Sequence, residues 1–136
     1  MKRFATANWQ GTGMEGKGVV STQSGVLNKN QYSFSSRFEE GIGTNPEELV
    51  AAAHAGCFSM KLSFNLTAAG FTPENIDTKA TLNFENGVIT QIHLATKAKV
   101  AGLNADKFKE LADDAKANCP ISQLLKCEIT MEAILD

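Results

Sequence analysis

The chain has 136 residues, of which 43% are hydrophobic and 21% charged, and this length and composition predict a single globular domain over residues 1–136. Its 13 basic and 15 acidic residues are mixed along the sequence and leave a formal charge of -2, which excludes the basic stripe that nucleic acid or an anionic membrane would need as a partner. No apolar stretch follows the first two cations, so we expect no secretory signal and a cytoplasmic protein.

Three short segments near the N-terminus predict an antiparallel meander, because they are rich in β-branched and aromatic residues and are separated by Gly or Asn clusters. They span roughly residues 3–9, 18–26 and 31–38. The stretch from Gly11 to Gly18 matches the glycine spacing of nucleotide-binding loops. Such a loop must open a helix, whereas residues 19–22 continue as a strand. We therefore predict a flexible hairpin loop and no nucleotide cofactor.

A compact helix-start signal follows at residues 44–48, with Asn45 as the N-cap and Glu48 reaching back as in a capping box. The helix should run to about Ala69, because Gly70 ends it. It is apolar over most of its circumference and rich in small residues. We therefore expect a buried central helix that packs against an equivalent helix in a dimer.

Segments 76–85 and 88–100 predict a hairpin, because Asn86 and Gly87 between them both tolerate the positive φ of a type I′ turn. The remaining predicted elements are a helix over 105–117, a short helix from Cys119-Pro120 through about Lys126, and a last strand over 127–135. Strands that cluster, followed by a helix and then by strands and helices again, predict an α+β fold rather than a parallel βαβ sheet.

His54 and Cys57 lie three residues apart on the predicted helix and therefore share a face. This arrangement suits a Cys-His nucleophile pair for acyl transfer or half of a metal site. The only other histidine, His93, has no ligand spacing around it, so we expect no metal. Acyl transfer also needs an orienting group and an oxyanion hole. A packed, hydrogen-bonded His54 is the favoured interpretation, and a Cys-dependent acyl transferase stays an alternative.

The three cysteines form no CxxC pair, which suits free or catalytic thiols better than a disulfide framework. Taken alone, Cys57 is more typical of an inert core residue than of a nucleophile. It lies about three turns into its helix, too far for the N-terminal dipole to stabilise a thiolate. A cation must come from elsewhere, and Arg37, at the end of the third predicted strand, is the natural candidate. Cys127 has no motif around it and is interpreted as structural.

Five blocks of the sequence resemble OsmC proteins, which form one family of thiol peroxidases with the organic hydroperoxide resistance (Ohr) proteins. The blocks are Lys17-Gly18-Val19-Val20-Ser21-Thr22, Arg37-Phe38-Glu39, Gly43-Thr44-Asn45-Pro46-Glu47-Glu48-Leu49, Ala52-Ala53-His54-Ala55-Gly56-Cys57-Phe58-Ser59-Met60 and Asn118-Cys119-Pro120-Ile121-Ser122. They span nearly the whole chain, and the stretch before Cys57 resembles the OsmC branch more than the Ohr branch. Many relatives have Ala where this chain has Gly56, which loosens the helix slightly.

The resemblance implies a tightly intertwined homodimer in which antiparallel β-sheets pack around the central, Cys-bearing helix. It implies two active sites at the subunit interface, each with Cys57 as the peroxidatic thiol, Cys119 as the resolving thiol, and Arg37 and Glu47 beside them. Organic hydroperoxides would be reduced to alcohols through a sulfenic acid and a Cys57–Cys119 disulfide, in defence against oxidative or osmotic stress. A small dithiol or lipoyl-type reductant would reopen that disulfide.

Two further expectations concern the surroundings of Cys57. Glu47 and Cys57 are ten residues apart, which is ~15 Å along a continuous helix, so we expect one subunit to supply Glu47 and Arg37 to the Cys57 of the other. The apolar candidates to line the approach to Cys57 are Phe34, Phe38, Phe58, Met60 and Leu124. Besides the acyl transferase, a noncatalytic dimeric module that binds a ligand stays an alternative.

Overall fold

The computed structural model describes every residue of the chain, Met1–Asp136. The residues form two compact units, unit 1 over Met1–Leu49 and unit 2 over Val50–Asp136. Together their elements make a mixed α+β fold with two small sheets. None of the helices combines the length and the hydropathy needed to cross a membrane. That residues 1–136 fold as a single domain stays a prediction.

Unit 1 contains a three-stranded antiparallel sheet in the order β1 (Ala5–Gln10), β2 (Lys17–Thr22) and β3 (Asn30–Tyr32). This confirms the predicted meander. The third strand is shorter than predicted, because the chain leaves the sheet after Tyr32 and forms a one-turn helix, α1 (Phe34–Phe38). The prediction of strand over the second half of 31–38 was therefore wrong.

Two serines explain why α1 replaces the predicted strand. The Ser36 backbone N–H donates to the Ser33 hydroxyl at 3.2 Å, and the Ser33 N–H donates to the Ser36 hydroxyl at 2.9 Å. This reciprocal capping box satisfies helical donors that a strand would offer to a neighbour. Arg37 consequently lies in a short helix rather than at the end of a strand.

Gly18 has a packing role in this sheet. It lies between Trp9 and Tyr32 in register, and the two rings tilt together with centroids 5.3 Å apart. A Cβ at position 18 would lie 2.6 Å from an atom of each ring. Glycine therefore allows the aromatic pair to close over the middle strand.

The long helix α2 (Pro46–Ala68) begins and ends where local signals place it. The Glu48 N–H donates to the Asn45 side-chain oxygen at 2.7 Å, which confirms Asn45 as the N-cap. The Glu48 carboxylate reaches back to the Asn45 side-chain amide at 3.1 Å, so the return bond involves the side chain of the cap. Gly70, with φ of +91°, follows the last turn in the left-handed conformation that ends helices.

Unit 2 contains a three-stranded sheet in the order β4 (Pro73–Glu85), β5 (Val88–Val100) and β6 (Glu128–Leu135). β4 and β5 form the predicted hairpin, with Asn86 and Gly87 at φ of +50° and +77°. β6 pairs with β5 in parallel, so the prediction of purely antiparallel sheets was wrong for this strand. Two helices separate β5 from β6, and such a crossover allows the chain to re-enter the sheet in the same direction.

Those two helices are α3 (Ala105–Asn118) and α4 (Pro120–Leu124). The core of unit 2 joins apolar side chains of α2, β5 and α3, namely Phe58, Leu62, Leu66, Ile92, Leu94, Ala98, Phe108, Ala112 and Ala115. On α2 the buried positions recur every four residues and define one face. The same helix exposes Met60 and Phe64, at 63% and 64%, so within one chain α2 is not buried all round.

Candidate active site

Cys57 lies on α2 and opens onto a pocket of about 520 Å³ in unit 2. The pocket is lined by Gly56, Cys57, Met60, Lys61, Phe64, Asn118 and Pro120. Apart from Lys61 and Asn118 these residues offer apolar surface to a bound molecule. The thiol itself is partly buried. A small apolar molecule with a polar reactive group fits such a setting.

The structure places Cys57 beside Cys119, the residue that precedes α4. Cys119 and the backbone N–H of Ile121 both act on the pKa of Cys57, so both lie close to its thiol. Both cysteines are free, and Cys119 is completely buried. Two thiols that are far apart in sequence therefore lie close together, and Cys57 is the one that lines the pocket.

The pKa of the Cys57 thiol is raised above its ordinary value. Burial is the main cause, and the neighbouring Cys119 adds to it, while the Ile121 N–H partly opposes both. Burial acts in this direction because a thiolate loses its hydration in the interior. The thiolate of Cys57 therefore needs a further positive group in order to form near neutral pH.

Cys119 caps α4 and belongs to a buried hydrogen-bonded chain. The Ser122 N–H donates to the Cys119 Sγ at 3.3 Å, and the Ser122 Oγ lies 3.1 Å from the same sulfur. The Ser122 Oγ also lies 2.8 Å from the His54 Nε2. Cys119 and His54 are fully buried, and Ser122 is 7% exposed.

His54 therefore engages Ser122, which bears on the acyl-transfer alternative. Its Nε2 is occupied by Ser122, and its Nδ1 is buried without a hydrogen-bond partner. Neither ring nitrogen activates Cys57, as a Cys-His nucleophile pair would require. Burial lowers the pKa of His54, so the ring is neutral at pH 7. The prediction of a packed, hydrogen-bonded His54 is confirmed.

Sequence reasoning missed Ser122 as part of this site. A signal was present, because Ser122 is the third helical residue after the cap Cys119, where a backbone N–H and a side chain can both reach the cap. The contact with His54 had no such local signal, since the two residues are 68 positions apart.

Arg37 and Glu47 form an ion pair in unit 1. The buried Ser36 hydroxyl donates to the Thr44 carbonyl oxygen at 2.8 Å, and the Asn45 side chain donates to the Ser36 carbonyl oxygen at 3.1 Å. These bonds fix α1 against the start of α2. As a result Arg37, on α1, and Glu47, in the first turn of α2, face each other.

This ion pair is not the usual bidentate arrangement, in which two guanidinium nitrogens bind two different carboxylate oxygens. The Arg37 Nε and Nη2 lie 2.8 Å and 2.7 Å from the same oxygen, Glu47 Oε1. The second oxygen, Oε2, is buried and has no hydrogen-bond partner. The hydrogen bond to Glu47 raises the pKa of Arg37, so the guanidinium stays charged. Its carbon lies 5.0 Å from the centroid of the Phe38 ring, within the range of a cation–π contact.

Arg37 also lines a pocket of about 230 Å³ in unit 1. The other lining residues are Trp9, Gly13, Tyr32, Ser33, Phe34 and Phe38. Phe34 and Phe38, which were predicted to line the approach to Cys57, thus surround the guanidinium. The pocket offers a permanent cation on a mostly aromatic surface.

The remaining predicted residues are distributed as follows. Met60 lines the Cys57 pocket, as predicted. Phe58 is fully buried in the core of unit 2, so the prediction was wrong for this residue. Leu124 is 73% exposed and does not line that pocket within one chain, so its place at a subunit interface stays a prediction. Cys127 is partly buried against the core, which agrees with a structural role.

Residues 39–133 match the family model of OsmC-like proteins. Peroxiredoxin OsmC of Escherichia coli (strain K12) is 51% identical over 130 residues, which cover 93% of this chain and 91% of that protein. Among solved structures, an OsmC-like protein from Mycoplasma pneumoniae has a TM-score of 0.76 at 14% identity, over 99% of this chain and 97% of that one. The organic hydroperoxide resistance protein OhrB of Bacillus subtilis has a TM-score of 0.64 at 22% identity, over 98% of each chain. These two structures share the fold of this chain.

Proposed function

The chain belongs to the OsmC-like protein family and is a peroxidase, and we propose that it reduces organic hydroperoxides to alcohols with Cys57 as the attacking thiol. One observation carries the proposal: Cys57 opens onto a largely apolar pocket and lies beside a second thiol, Cys119. The pocket admits an alkyl group, and the second thiol can trap the oxidised sulfur.

In the first step the Cys57 thiolate attacks the distal oxygen of the hydroperoxide. The O–O bond breaks, the distal oxygen stays on sulfur as a sulfenic acid, and the alkoxide leaves and is protonated to the alcohol. Met60 and Phe64 of the pocket contact the alkyl group of the substrate. The partial burial of Cys57 limits over-oxidation by restricting access to the sulfur.

In the second step Cys119 attacks the Cys57 sulfenic acid and forms the Cys57–Cys119 disulfide, with loss of water. Support comes from the proximity of the two thiols, since the resolving sulfur starts next to its target. The pocket beside Cys57 gives an outside reductant access to the disulfide. A small dithiol or lipoyl-type thiol then restores both thiols.

The first step needs a cation, because burial raises the pKa of Cys57. We assign this task to Arg37, which also donates to the peroxide oxygens as charge develops on the leaving alkoxide. Glu47 holds the guanidinium by accepting from both Nε and Nη2. The cation is thus fixed in orientation before the substrate arrives.

We further propose that the functional unit is an intertwined homodimer in which the partner subunit's Arg37 and Glu47 serve Cys57. Glu47 precedes Cys57 by ten residues on α2, which is ~15 Å along a continuous helix. Met60 and Phe64 are exposed beside Cys57, and a second copy of the chain would cover them. In such a dimer α2 becomes the buried central helix that its apolar composition predicts.

The mixed charge and the free thiols support a cytoplasmic role in defence against oxidative or osmotic stress. The proposed partners are the hydroperoxide, the dithiol and a second copy of the chain, without nucleic acid or membrane.

The test follows the consumption of cumene hydroperoxide by the purified protein with a dithiol. We expect Cys57→Ser to abolish turnover. Cys119→Ser, mixed with the hydroperoxide before any dithiol is added, should consume one equivalent, and its sulfenic acid should then be trapped by dimedone and seen as a mass increase. Cys127→Ser, a matched control, should keep wild-type turnover. Turnover by Cys57→Ser at the wild-type rate would contradict the proposal.

A further inference from the structure

A buried chain of three polar groups leads away from the resolving cysteine. It runs from the Cys119 Sγ to the Ser122 Oγ at 3.1 Å and on to the His54 Nε2 at 2.8 Å. The three residues come from the start of α4, from α4 itself and from α2. Peroxide reduction by Cys57 assigns no task to either Ser122 or His54.

The chemistry of the three groups allows one consistent direction of donation along these hydrogen bonds. A neutral imidazole has one donor and one acceptor nitrogen, and a hydroxyl donates one hydrogen while accepting others. When Cys119 is a thiol, its S–H can donate to the Ser122 oxygen, and the Ser122 O–H can then donate to the His54 Nε2 if Nδ1 carries the ring hydrogen. The end of the chain is then a nitrogen that can take up a proton.

The unpartnered Nδ1 of His54 is the second observation. In this arrangement Nδ1 carries the ring hydrogen, which is buried and donates to no group. An unsatisfied buried donor destabilises the fold, and such groups are rare in native interiors. A leucine at this position would remove the unsatisfied donor but also the hydrogen-bond partner of Ser122. The ring nitrogen that contacts Ser122 therefore points to a functional reason for histidine.

We propose that Ser122 and His54 form a proton relay that deprotonates Cys119 while Cys119 attacks the Cys57 sulfenic acid. The inference rests on the proposed function, since it concerns the second step of that reaction. Ser122 contacts the reacting sulfur directly, whereas His54 acts through Ser122 and is a positioning and proton-accepting residue.

The step balances as follows. The Cys119 sulfur attacks the Cys57 sulfur, the S–S bond forms, and the S–O bond of the sulfenic acid breaks. The Cys119 proton passes to the Ser122 oxygen, whose own proton passes to the His54 Nε2. The relay then returns a proton to the departing hydroxide, which leaves as water, and His54 is neutral again. Cys119 is oxidised from thiol to disulfide, and the Cys57 sulfur is reduced from sulfenic acid to disulfide.

Single-turnover kinetics separate this step from the first one. The protein is mixed with one equivalent of cumene hydroperoxide, and two rates are measured: the loss of peroxide, and the loss of dimedone-reactive sulfenic acid as the disulfide forms. For Ser122→Ala we expect a wild-type rate of peroxide loss and disulfide formation slowed by about tenfold or more, as for removal of a general base. Ser122→Thr, which restores a hydroxyl, should recover most of the rate.

His54→Gln distinguishes a relay from a purely structural bond. Glutamine can keep a hydrogen bond to Ser122 but takes up no proton, so a structural role predicts a normal second step and the relay predicts a slow one. A selective loss of the second step in His54→Gln supports the relay. Wild-type disulfide formation in either Ser122→Ala or His54→Gln, or equal slowing of both steps in His54→Gln, overturns it. Failure of the proposed function is a different outcome, because the wild type would then form no sulfenic acid.

Discussion

Two nitrogens of Arg37 converge on a single oxygen of Glu47, at 2.8 Å and 2.7 Å, and the other carboxylate oxygen is buried without a partner. A pair built only for stability would use both oxygens, since each unsatisfied buried acceptor destabilises the fold. The one-sided arrangement aims the guanidinium in a fixed direction, into a pocket lined by aromatic rings. Glu47 therefore holds the guanidinium in one orientation.

Replacing Arg37 should be more damaging than replacing Glu47. Arg37→Met removes the cation and the peroxide donors, and we expect kcat/KM for cumene hydroperoxide to fall by about 10²-fold or more. Glu47→Ala keeps the positive charge of Arg37 and removes only the group that orients it, so kcat/KM should fall less. Steady-state kinetics with both variants check this, and a larger loss in Glu47→Ala would refute the assigned roles. Arg3→Met, at an exposed residue, is the control.

Mixed dimers should reveal which subunit supplies the arginine. If the partner subunit's Arg37 serves Cys57, a dimer of one Cys57→Ser chain and one Arg37→Met chain retains one complete site. We expect that mixing equal amounts of the two inactive variants under subunit exchange restores peroxidase activity to about a quarter of the wild-type value, because half of the dimers are then mixed and each has one complete site of two. If Arg37 acts within its own chain, the mixture stays inactive. Sedimentation of the wild type as a dimer is the accompanying requirement.

The Cys57 pocket should favour alkyl hydroperoxides over hydrogen peroxide. Its apolar lining contributes binding energy only to a substrate with an alkyl group, and each buried methylene commonly changes specificity by about tenfold or more. We therefore expect a higher kcat/KM for cumene or tert-butyl hydroperoxide than for hydrogen peroxide. Phe64→Ser should reduce that preference, whereas Val88→Ser, at an exposed site on the β4–β5 hairpin, should not. Equal values for the three peroxides in the wild type would contradict the proposed substrate class.

The burial of His54 should make stability depend on pH. Because burial lowers its pKa in the folded state, the unfolded chain takes up a proton at a higher pH than the folded chain. This contribution to stability is complete above the unfolded pKa of about 6.5 and is lost as pH falls below it, by up to about 1.4 kcal/mol per pH unit.

Urea unfolding between pH 7.5 and pH 5 measures this dependence. The free energy of unfolding should fall toward acid pH in the wild type and should fall less steeply in His54→Gln. His93→Gln, which leaves His54 in place, is the matched control. An identical slope in His54→Gln and the wild type would show that His54 is not the group responsible.

Local signals predicted the ends of the elements well. Asn45 begins α2, Gly70 ends it, and Asn86-Gly87 turns the hairpin, because each depends on the backbone preferences of residues next to one another. The error at α1 has the same origin. The capping box of Ser33 and Ser36 outweighed the strand preference of the surrounding aromatic residues.

The site was predicted unevenly. The resemblance named Cys57, Cys119, Arg37 and Glu47, and the structure places the two thiols in contact and the two charges in contact. The resemblance did not predict the hydrogen bonds that link Cys119, Ser122 and His54. Local sequence spacing carries no information on a hydrogen bond between residues 68 positions apart. Aromatic residues predicted around Cys57 were likewise found around Arg37.

By itself the sequence determined the helix and hairpin boundaries, the mixed α+β composition and the family, since these depend on neighbouring residues and on motifs of a few positions. Only the tertiary structure decided that β6 runs parallel to β5, that Cys119 lies against Cys57, and that His54 turns to Ser122. Strand direction and long-range contacts are set by the burial of apolar surface over the whole unit, which brings distant residues together without any local preference for doing so.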